Sequence, residues 1–431
     1  MSVCEVNPDT REYVGNSMRI GRTLPPAATP LTLSDLMNGC RAEIAGPSTV
    51  STFQRELEAG FQVRYCFLVS SGKAALWLIL SALKKLHPER NEVLVTALTC
   101  FSVPAVIRRT GLKILLCDID EQTLDFDYRL LPEKLERPQL LCVIVTHLFG
   151  RPAEVQRLKS LLAEKTIPVI EDAAQAFAAE AQGQQLGTLG DLGFFSLGRG
   201  KALSTLAGGV VLTNRPDLAA QLKSFEEQLA TFSPLARVKM AVVALVLAVL
   251  QRPSLFWLPK LLPWLKLGET LYEPEFELKK FTPFQAGLAR NWRHKITEFK
   301  RLRRANAQIW TALLDRLGQF HYGRHRGQIP DLIRFPFRLA SPELRQQLLA
   351  ESLLRGFGIA ATYPSTIDAI PELSGQFVGE KYPVAERVVR SLVTLPIHPY
   401  LKPGDIDAIR ACLHQIFKSN GQQRILKEDS L

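Results

Sequence analysis

The most informative stretch of the chain is Gln139–Asp172, which reads QLLCVIVTHLFGRPAEVQRLKSLLAEKTIPVIED. It opens on the apolar run Gln139–Thr146 and closes on a second apolar run, Ile167–Glu171. Between these runs, Ala153–Glu164 has the spacing of apolar residues that is typical of an amphipathic helix. Strands that are apolar at successive positions are typical of a parallel sheet covered on both faces. The stretch therefore predicts a strand, a helix and a second strand of an α/β fold.

The same alternation of apolar runs and amphipathic stretches extends from about residue 60 to about residue 215. The further predicted elements are the strands Arg64–Ser70, Glu92–Val95, Leu112–Asp118 and Gly208–Leu212, and the helix Lys73–Leu86. In open α/β sheets, ligands bind at the carboxyl ends of the strands. Polar residues at those ends are therefore the first candidates for a functional site.

The sequence pattern of the C-terminal part of the chain predicts a smaller α/β domain. Its predicted elements are a long basic helical stretch over Glu277–Leu317, a strand over Leu332–Phe337, and helices over Pro342–Arg355, Pro383–Ser391 and Pro403–Ile416. These patterns divide the chain into an N-terminal arm (1–40), a large domain (41–228), an apolar insertion (229–275) and a small C-terminal domain (276–431).

The composition of the 431 residues is that of a globular protein, with 46% hydrophobic and 22% charged residues, and it excludes disorder as the main state. Seven cysteines occur without a C-x-x-C pair, which argues against a metal site and favours a reducing compartment. Residues 1–19 lack the apolar core of a secretory signal. We therefore expect a cytoplasmic protein.

The position of the net charge of +11 matters more than its size. Between Pro234 and Trp310 there are 14 Lys and Arg residues against 5 Glu and no Asp. This segment also holds the apolar run Met240–Leu250, followed by Trp257 and Trp264. Basic residues beside apolar and aromatic ones fit a membrane surface better than a nucleic-acid groove. With no nucleic-acid-binding motif in the chain, we expect no nucleic-acid partner.

Met240–Leu250 has 11 residues, about half of the roughly 20 that a membrane-spanning helix needs. One interpretation is peripheral membrane contact through 237–266, with basic residues meeting lipid headgroups on the inner face of the membrane. A dimer interface or a lid over the active site would bury the same apolar surface. The sequence leaves these alternatives open.

Ser70-Ser71-Gly72 separates a predicted strand from the helix that opens at Lys73. A glycine at this point lets backbone N–H groups and the helix N-terminus face an anion. A plain strand-to-helix turn is the alternative, because short glycine motifs are common.

Two further candidates lie at later strand ends. Asp172 directly follows Ile167–Glu171, so its carboxylate could bind a protonated ring nitrogen, and Gln175 could reach a hydroxyl beside that ring. A helix N-cap is the alternative role for Asp172. Lys201 lies in a glycine-flanked loop, where desolvation can lower the pKa of its amine and allow it to form a Schiff base. An exposed loop lysine is the alternative there.

A phosphate cradle, a carboxylate and a lysine, each at a strand end, are what pyridoxal phosphate requires. With these residues the chain resembles the sugar aminotransferases of the DegT/DnrJ/StrS type, which are fold type I pyridoxal-phosphate enzymes. The matching stretches are VSSGKAAL, EDAAQAF, the LGDLGFFSLGRGK run that ends in AGGVVLTN, TYPSTIDAIPEL and YPVAERVVRSLVTLPIHPYL. The resemblance covers most of Thr52–Ala220 and Leu332–Ile416. It implies a large domain with a mainly parallel sheet and a smaller C-terminal α/β domain.

The resemblance also implies roles for individual residues. Lys201 would be the Schiff-base lysine and proton shuttle, Asp172 the partner of the pyridine nitrogen, and Gln175 the contact to the ring hydroxyl. Ser196 and the backbone of Gly72 and Lys73 would hold the phosphate. The full set of implied cofactor-binding residues is Ser71, Gly72, Lys73, Cys100, Asp172, Gln175, Ser196 and Lys201. His147, in VTHLFG, would contact cofactor or substrate, or be a structural histidine.

Four features depart from the family pattern. Lys73 stands where the family usually has Thr, and Cys100 stands where it usually has an aromatic residue that stacks on the cofactor ring. Pro283 replaces an Asn that reaches the active site of the other subunit. The apolar stretch Leu229–Tyr272 replaces a mostly polar loop that helps to build the sugar pocket. These departures bear on the substrate more than on the cofactor.

The resemblance thus implies a pyridoxal-phosphate-dependent aminotransferase that moves an amino group from glutamate to a keto group of a nucleotide-activated deoxysugar, for surface polysaccharide or glycan biosynthesis. It also implies a homodimer. One alternative is a pyridoxal-phosphate enzyme that acts on a lipid-linked or other non-sugar acceptor. Another is a non-catalytic pyridoxal-phosphate-binding scaffold at the membrane.

Overall fold

A computed structural model describes residues 19–260 and 270–428, with side chains described as far as residue 418. Its strands in chain order are β1 (Tyr65–Val69), β2 (Glu92–Thr96), β3 (Lys113–Cys117), β4 (Leu140–Thr146), β5 (Val169–Asp172), β6 (Glu180–Ala181), β7 (Gln184–Gln185), β8 (Leu192–Ser196), β9 (Gly209–Thr213), β10 (Phe335–Arg338) and β11 (Leu392–Leu395). The strands predicted from apolar runs are confirmed, with bounds that differ by at most three residues.

The large sheet has seven strands in the order β1-β9-β8-β5-β4-β2-β3. Strand β9 is antiparallel to both of its neighbours, and the remaining pairs are parallel. Strand β4 lies inside the sheet, and its residues 140–145 are buried, as the unbroken apolar run requires. The prediction of an α/β fold with a mainly parallel sheet is therefore confirmed.

Helices cover both faces of this sheet and build the C-terminal domain around β10 and β11, which pair antiparallel. They are α1 (Leu33–Ala45), α2 (Ser48–Phe61), α3 (Gly72–Leu86), α4 (Ser102–Arg109), α5 (Leu131–Leu135), α6 (Val155–Leu161), α7 (Pro216–Glu227), α8 (Pro234–Leu250), α9 (Trp257–Lys260), α10 (Pro283–Leu288), α11 (Trp292–Arg316), α12 (Pro342–Arg355), α13 (Pro383–Ser391) and α14 (Pro403–Glu428).

One predicted helix is wrong in its first third. The stretch Glu277–Leu317 does not form one helix, because residues 277–280 are extended and α10 ends at Leu288. Asn291 adopts a left-handed conformation with φ 59°, which separates α10 from α11. Pro283 is the first residue of α10, where its missing N–H costs no helical hydrogen bond.

The predicted N-terminal arm contains part of a helix. Helix α1 begins at Leu33 and crosses the predicted boundary at residue 40. Thr32 caps it, because its hydroxyl accepts a hydrogen bond from the Asp35 N–H while the Asp35 carboxylate accepts one from the Thr32 N–H. Residues 1–18 of the arm lie outside the described residues.

The apolar insertion contains a longer helix than the run Met240–Leu250 suggests. Helix α8 has 17 residues because Ser233, seven residues before the apolar run, caps it, and Pro253 follows its end. Within the described ranges, no helix is long and apolar enough to span a membrane. Trp264 and Lys266, which belong to the predicted membrane patch, lie outside the described residues.

Candidate active site

A cavity of about 180 Å3 lies at the carboxyl ends of β5 and β8, beside the N-terminus of α3. The sequence positions of its lining residues are far apart, and only the sheet topology brings them together. The cavity is lined by all eight of the predicted cofactor-binding residues: Ser71, Gly72, Lys73, Cys100, Asp172, Gln175, Ser196 and Lys201.

The N-terminus of α3 forms one wall of this cavity. Ser71 caps the helix, with its hydroxyl accepting a hydrogen bond of 3.1 Å from the Ala74 N–H. A Cβ at Gly72 would lie 2.8 Å from the Ser196 Cβ, so this close approach requires glycine. The Ser196 hydroxyl in turn accepts a hydrogen bond from the Gly198 N–H at 3.3 Å. The arrangement has the free N–H groups and the positive helix end that bind a phosphate.

Asp172 ends β5 and faces the same cavity. Its Oδ1 accepts a hydrogen bond of 3.0 Å from the Ala174 N–H within a turn, and because no helix lies between β5 and β6, the alternative role of Asp172 as a helix N-cap is wrong. Burial raises the pKa of the Asp172 carboxyl group, although the Ala174 N–H, Lys201 and His147 oppose that shift. A buried carboxylate with this environment has a strong preference for a cationic partner.

Lys201 enters the cavity from the loop that follows β8. Gly200, with φ +70°, gives the loop a left-handed turn that favours glycine. The Lys201 carbonyl accepts a hydrogen bond from the Thr29 hydroxyl, and Arg303 donates to that hydroxyl at 3.3 Å. Burial lowers the pKa of the Lys201 ammonium, which favours the neutral, nucleophilic amine.

Gln175 links the cavity to the C-terminal domain. Its Oε1 accepts a hydrogen bond from the Phe149 N–H at 3.1 Å, and its Nε2 donates to the Tyr363 hydroxyl at 2.9 Å. Tyr363 is 3% exposed. The only feature of the sequence that points to it is its position in the family-like stretch TYPSTIDAIPEL. Sequence reasoning missed this contact because the two residues are 188 positions apart.

Cys100 lines the cavity at the position where the family usually has an aromatic ring. Its thiol donates a weak hydrogen bond to the Ser102 hydroxyl at 3.5 Å. Phe101 is 6% exposed, belongs to the hydrophobic core and is absent from the described lining of the cavity. The aromatic stacking partner is therefore not replaced by the next residue.

His147 is fully buried and is not among the residues that line the cavity. Its Nδ1 accepts a hydrogen bond from the Ala153 N–H at 3.1 Å, so its Nε2 carries the proton and donates to Glu171 Oε2 at 2.8 Å. Both ring nitrogens are thus engaged within the fold. This geometry favours the structural alternative for His147 over the predicted substrate contact.

The family model for the DegT/DnrJ/EryC1/StrS aminotransferase family matches residues 33–239 and 277–414 of the chain. Residues 240–276, which include the last 11 residues of α8, lie between the two matched segments.

Curated relatives show similarity over different lengths. GDP-perosamine synthase of Escherichia coli O157:H7 is 31% identical over 42% of this chain and 48% of its own length. L-glutamine:2-deoxy-scyllo-inosose aminotransferase of Streptoalloteichus tenebrarius is 25% identical over 91% of this chain and 92% of its own length. For most of the relatives that it matches, the chain therefore spans about half of their length.

Solved structures show the same fold over nearly the whole chain. Helicobacter pylori PseC, an aminotransferase involved in the biosynthesis of pseudoaminic acid, superposes with a TM-score of 0.73 at 15% identity, covering 94% of this chain and 100% of that chain. DesI, crystallised with its TDP-sugar product, superposes with a TM-score of 0.72 at 20% identity, covering 96% and 99%. Together with the family match over both domains, these findings show that the chain belongs to the DegT/DnrJ/EryC1/StrS aminotransferase family.

Proposed function

We propose that this chain is a pyridoxal-phosphate-dependent aminotransferase that transfers an amino group from glutamate to a keto group of a nucleotide-activated deoxysugar, for surface polysaccharide or glycan biosynthesis. The observation that carries the proposal is the single cavity in which Lys201, Asp172 and the N-terminus of α3 meet. Related solved structures support the cofactor, since one holds hydrated pyridoxal phosphate and another is in the pyridoxamine phosphate form.

The residues present fit this cofactor. Gly72 and Ser196 lie close together at the N-terminus of α3, where backbone N–H groups can bind a phosphate, and the cavity holds one buried carboxylate and one buried amine. When bound, pyridoxal phosphate supplies an electron sink that stabilises the negative charge left when a carbon loses its proton. The apolar side chains of Leu76, Val103 and Val106 also line the cavity and exclude water from it.

Each polar residue then has a defined task. The Asp172 carboxylate would hold a proton on the pyridine nitrogen of the cofactor. The protonated nitrogen would in turn stabilise the buried carboxylate, whose pKa burial raises. The Lys201 Nζ, whose pKa is lowered by burial, would accept a proton from the substrate carbon as a general base and would then donate that proton as a general acid. Gln175, fixed by Phe149 and Tyr363, orients the ring hydroxyl.

The activity is tested by incubating the chain with pyridoxal phosphate, glutamate and a panel of nucleotide-linked keto-deoxysugars, with mass spectrometry of the products. We expect an aminated nucleotide sugar with the wild-type chain and none with Lys201→Ala. The cyclitol 2-deoxy-scyllo-inosose and the donor glutamine serve as the competing acceptor and donor. Amination of the cyclitol alone would overturn the sugar-nucleotide assignment and leave the aminotransferase assignment standing.

We also propose that α8 and α9 contact the cytoplasmic, anionic face of a membrane. Ala244 and Ala248 pack inward against α1 and α10, whereas Val242 and Leu245, each 54% exposed, point outward together with Leu235, Val238, Val243, Val246 and Val249. Residues 234–260 contain four Lys and Arg and no Asp or Glu. An apolar face flanked by cations complements anionic headgroups.

Membrane contact is tested by flotation with vesicles of anionic or neutral lipid. We expect binding to anionic vesicles by the wild-type chain and loss of binding by a Val242→Ser, Leu245→Ser double variant. Leu354→Ser, at a site 47% exposed on α12, is the matched control and should float as wild type does. Equal flotation of all three proteins, or none, would contradict the proposal.

The family resemblance implies a homodimer, and we propose that state for this chain. Light scattering of the purified protein should give twice the 48.1 kDa of one chain. A mass of one chain would overturn it. If the α8 double variant alone became monomeric, α8 would be a subunit interface and the membrane proposal would fail.

A further inference from the structure

Residues 270–280 form an extended segment beside the cavity, which we call the strap. At one end, the Thr270 hydroxyl donates a hydrogen bond to the Thr362 carbonyl at 2.8 Å in the C-terminal domain. At the other end, the Lys279 carbonyl accepts from the Ser70 N–H at 3.0 Å, and the Lys279 N–H donates to the Ser70 hydroxyl at 3.2 Å. The strap therefore joins the C-terminal domain to the strand end that leads into α3.

The side chains of the strap alternate between its two faces. Its inner face packs on the hydrophobic core with Tyr272, Phe276 and Leu278. Its outer face exposes Glu273, Glu275 and Glu277. The strap thus carries a row of negative charge past the N-terminus of α3.

Lys73 connects this charged row with the cavity. It is the second residue of α3 and lines the cavity next to Gly72. Its ammonium lies 3.2 Å from Glu273 Oε2 and 5.3 Å from the centre of the Phe276 ring. Phe276 is itself fixed, because the Arg109 guanidinium stacks on its ring at 4.1 Å and donates a hydrogen bond to its carbonyl.

The position of Lys73 in α3 also allows its ammonium to reach a phosphate bound beside Gly72 and Ser196. In an α-helix, each Cα–Cβ bond tilts toward the N-terminus, so the Lys73 side chain leaves α3 at the end where Gly72 and Ser196 meet. A lysine has a flexible four-carbon stem, so its ammonium can change partner without a backbone movement. Glu273 is 58% exposed in its side chain, and it therefore holds Lys73 only weakly.

We propose that the Lys73 ammonium is a ligand of the cofactor's phosphate group and that Glu273 is a positioning residue that competes with the phosphate for it. This inference rests on the pyridoxal phosphate of the proposed function. A phosphate dianion attracts the ammonium more strongly than a solvated carboxylate does. The Glu273 carboxylate also repels an anion bound beside it, so the strap weakens phosphate binding in two ways.

The experiment measures the dissociation constant of pyridoxal phosphate from the full-length chain, stripped of cofactor, by absorbance titration. Glu273→Gln should tighten binding about threefold, the scale of an exposed ion pair. Glu275→Gln, which removes the same charge two residues along the same exposed face, is the matched control and should leave the constant unchanged. Lys73→Met should weaken binding about tenfold, the scale of a charge-assisted hydrogen bond.

Two further measurements separate a direct role from a structural one. In the Lys73→Met background, Glu273→Gln should tighten binding by less than it does in wild type, because only the direct repulsion between Glu273 and the phosphate remains. Pyridoxal, which lacks the phosphate, should bind all four variants equally, and inorganic phosphate should compete better with pyridoxal phosphate in Glu273→Gln than in wild type.

Three results would overturn the inference: equal constants for Glu273→Gln and Glu275→Gln, an unchanged constant in Lys73→Met, or parallel changes in the binding of pyridoxal. If the wild-type chain binds pyridoxal phosphate and one of these results appears, the assignment of Lys73 fails alone. If the wild-type chain does not bind pyridoxal phosphate, the proposed function fails with it.

Discussion

Glu171 and Asp172 are consecutive in β5, and their carboxylates have opposite environments. The Glu171 carboxylate accepts hydrogen bonds from the Gly187 and Gly190 N–H groups at 2.8 and 2.6 Å and from the ring of His147 at 2.8 Å. The Asp172 carboxylate lines the cavity. Because neighbouring strand residues point to opposite faces, the first stabilises the fold and the second is available to a ligand.

Asp172→Asn should separate function from stability. A neutral amide cannot hold a proton on a pyridine nitrogen, so we expect turnover to fall on the order of a hundredfold or more. Burial raises the pKa of Asp172 in the folded state, so its favourable contribution exists below the unfolded pKa and is lost as the pH rises through the folded pKa. At pH 7 the cofactor-free variant should therefore melt at a higher temperature than wild type.

That difference in melting temperature should shrink as the pH falls toward the ordinary pKa of an aspartate, about 3.9. Calorimetry between pH 4 and pH 8 measures it. A variant that melts lower than wild type at every pH would contradict a folded-state pKa of Asp172 that burial raises.

His147→Ala should lower the free energy of unfolding by about 3 kcal/mol, because it removes one partner of a buried pair and leaves Glu171 with one hydrogen bond fewer. Urea unfolding of the cofactor-free chain measures this loss. The KM for glutamate should change little in the fraction that remains folded. An unchanged stability with a raised KM would instead favour direct substrate contact by His147.

Gly72→Ala should weaken the binding of pyridoxal phosphate, whereas an alanine at a glycine far from the cavity should not. The added methyl group would lie 2.8 Å from the Ser196 Cβ, so the wall of the cradle must shift. Overpacking of this kind costs about 1–3 kcal/mol, and a tenfold loss of affinity for pyridoxal phosphate corresponds to about 1.4 kcal/mol. Gly375→Ala is the control, since nothing lies within 4 Å of the added methyl group there. Equal affinities of Gly72→Ala and Gly375→Ala for pyridoxal phosphate would refute a phosphate site beside Gly72.

Tyr363→Phe removes the hydroxyl that accepts the Gln175 amide and leaves a buried donor without its partner. An unmatched buried donor costs about 1–3 kcal/mol, so the thermal stability of the folded chain should fall. Gln175 should also orient the cofactor less well, which would appear as a shift in the absorbance of the bound cofactor. A phenylalanine variant with wild-type stability and spectrum would show that the contact between the domains has no such role.

Much of the fold follows from local patterns. Helices α12 and α13 have the bounds that the sequence predicts, because a proline opens each of them. The apolar strand β4 is buried as its composition requires. The long helix predicted over Glu277–Leu317 fails because Lys280 bridges to Val69 and residues before it are extended, a pairing across the fold that helical periodicity cannot reveal.

The candidate site likewise has residues that local patterns predict and partners that they do not. The eight predicted cofactor-binding residues lie in motifs at strand ends, and the parallel sheet brings those ends together. The partners that position them come from distant segments: Tyr363 for Gln175, Thr29 for Lys201 and Glu273 for Lys73. No local pattern links such pairs, because each depends on how the C-terminal domain, the N-terminal segment and the strap pack against the sheet.

The central claim is that Lys201 and Asp172 hold pyridoxal phosphate for transfer of an amino group. The most direct test is an absorbance spectrum of the chain with pyridoxal phosphate, before and after glutamate, for wild type and Lys201→Ala, with Lys223→Ala as a control at an exposed surface lysine. The account predicts a visible band in wild type and Lys223→Ala that converts to the pyridoxamine form with glutamate, and no such band or conversion in Lys201→Ala. The same band and conversion in Lys201→Ala would contradict it.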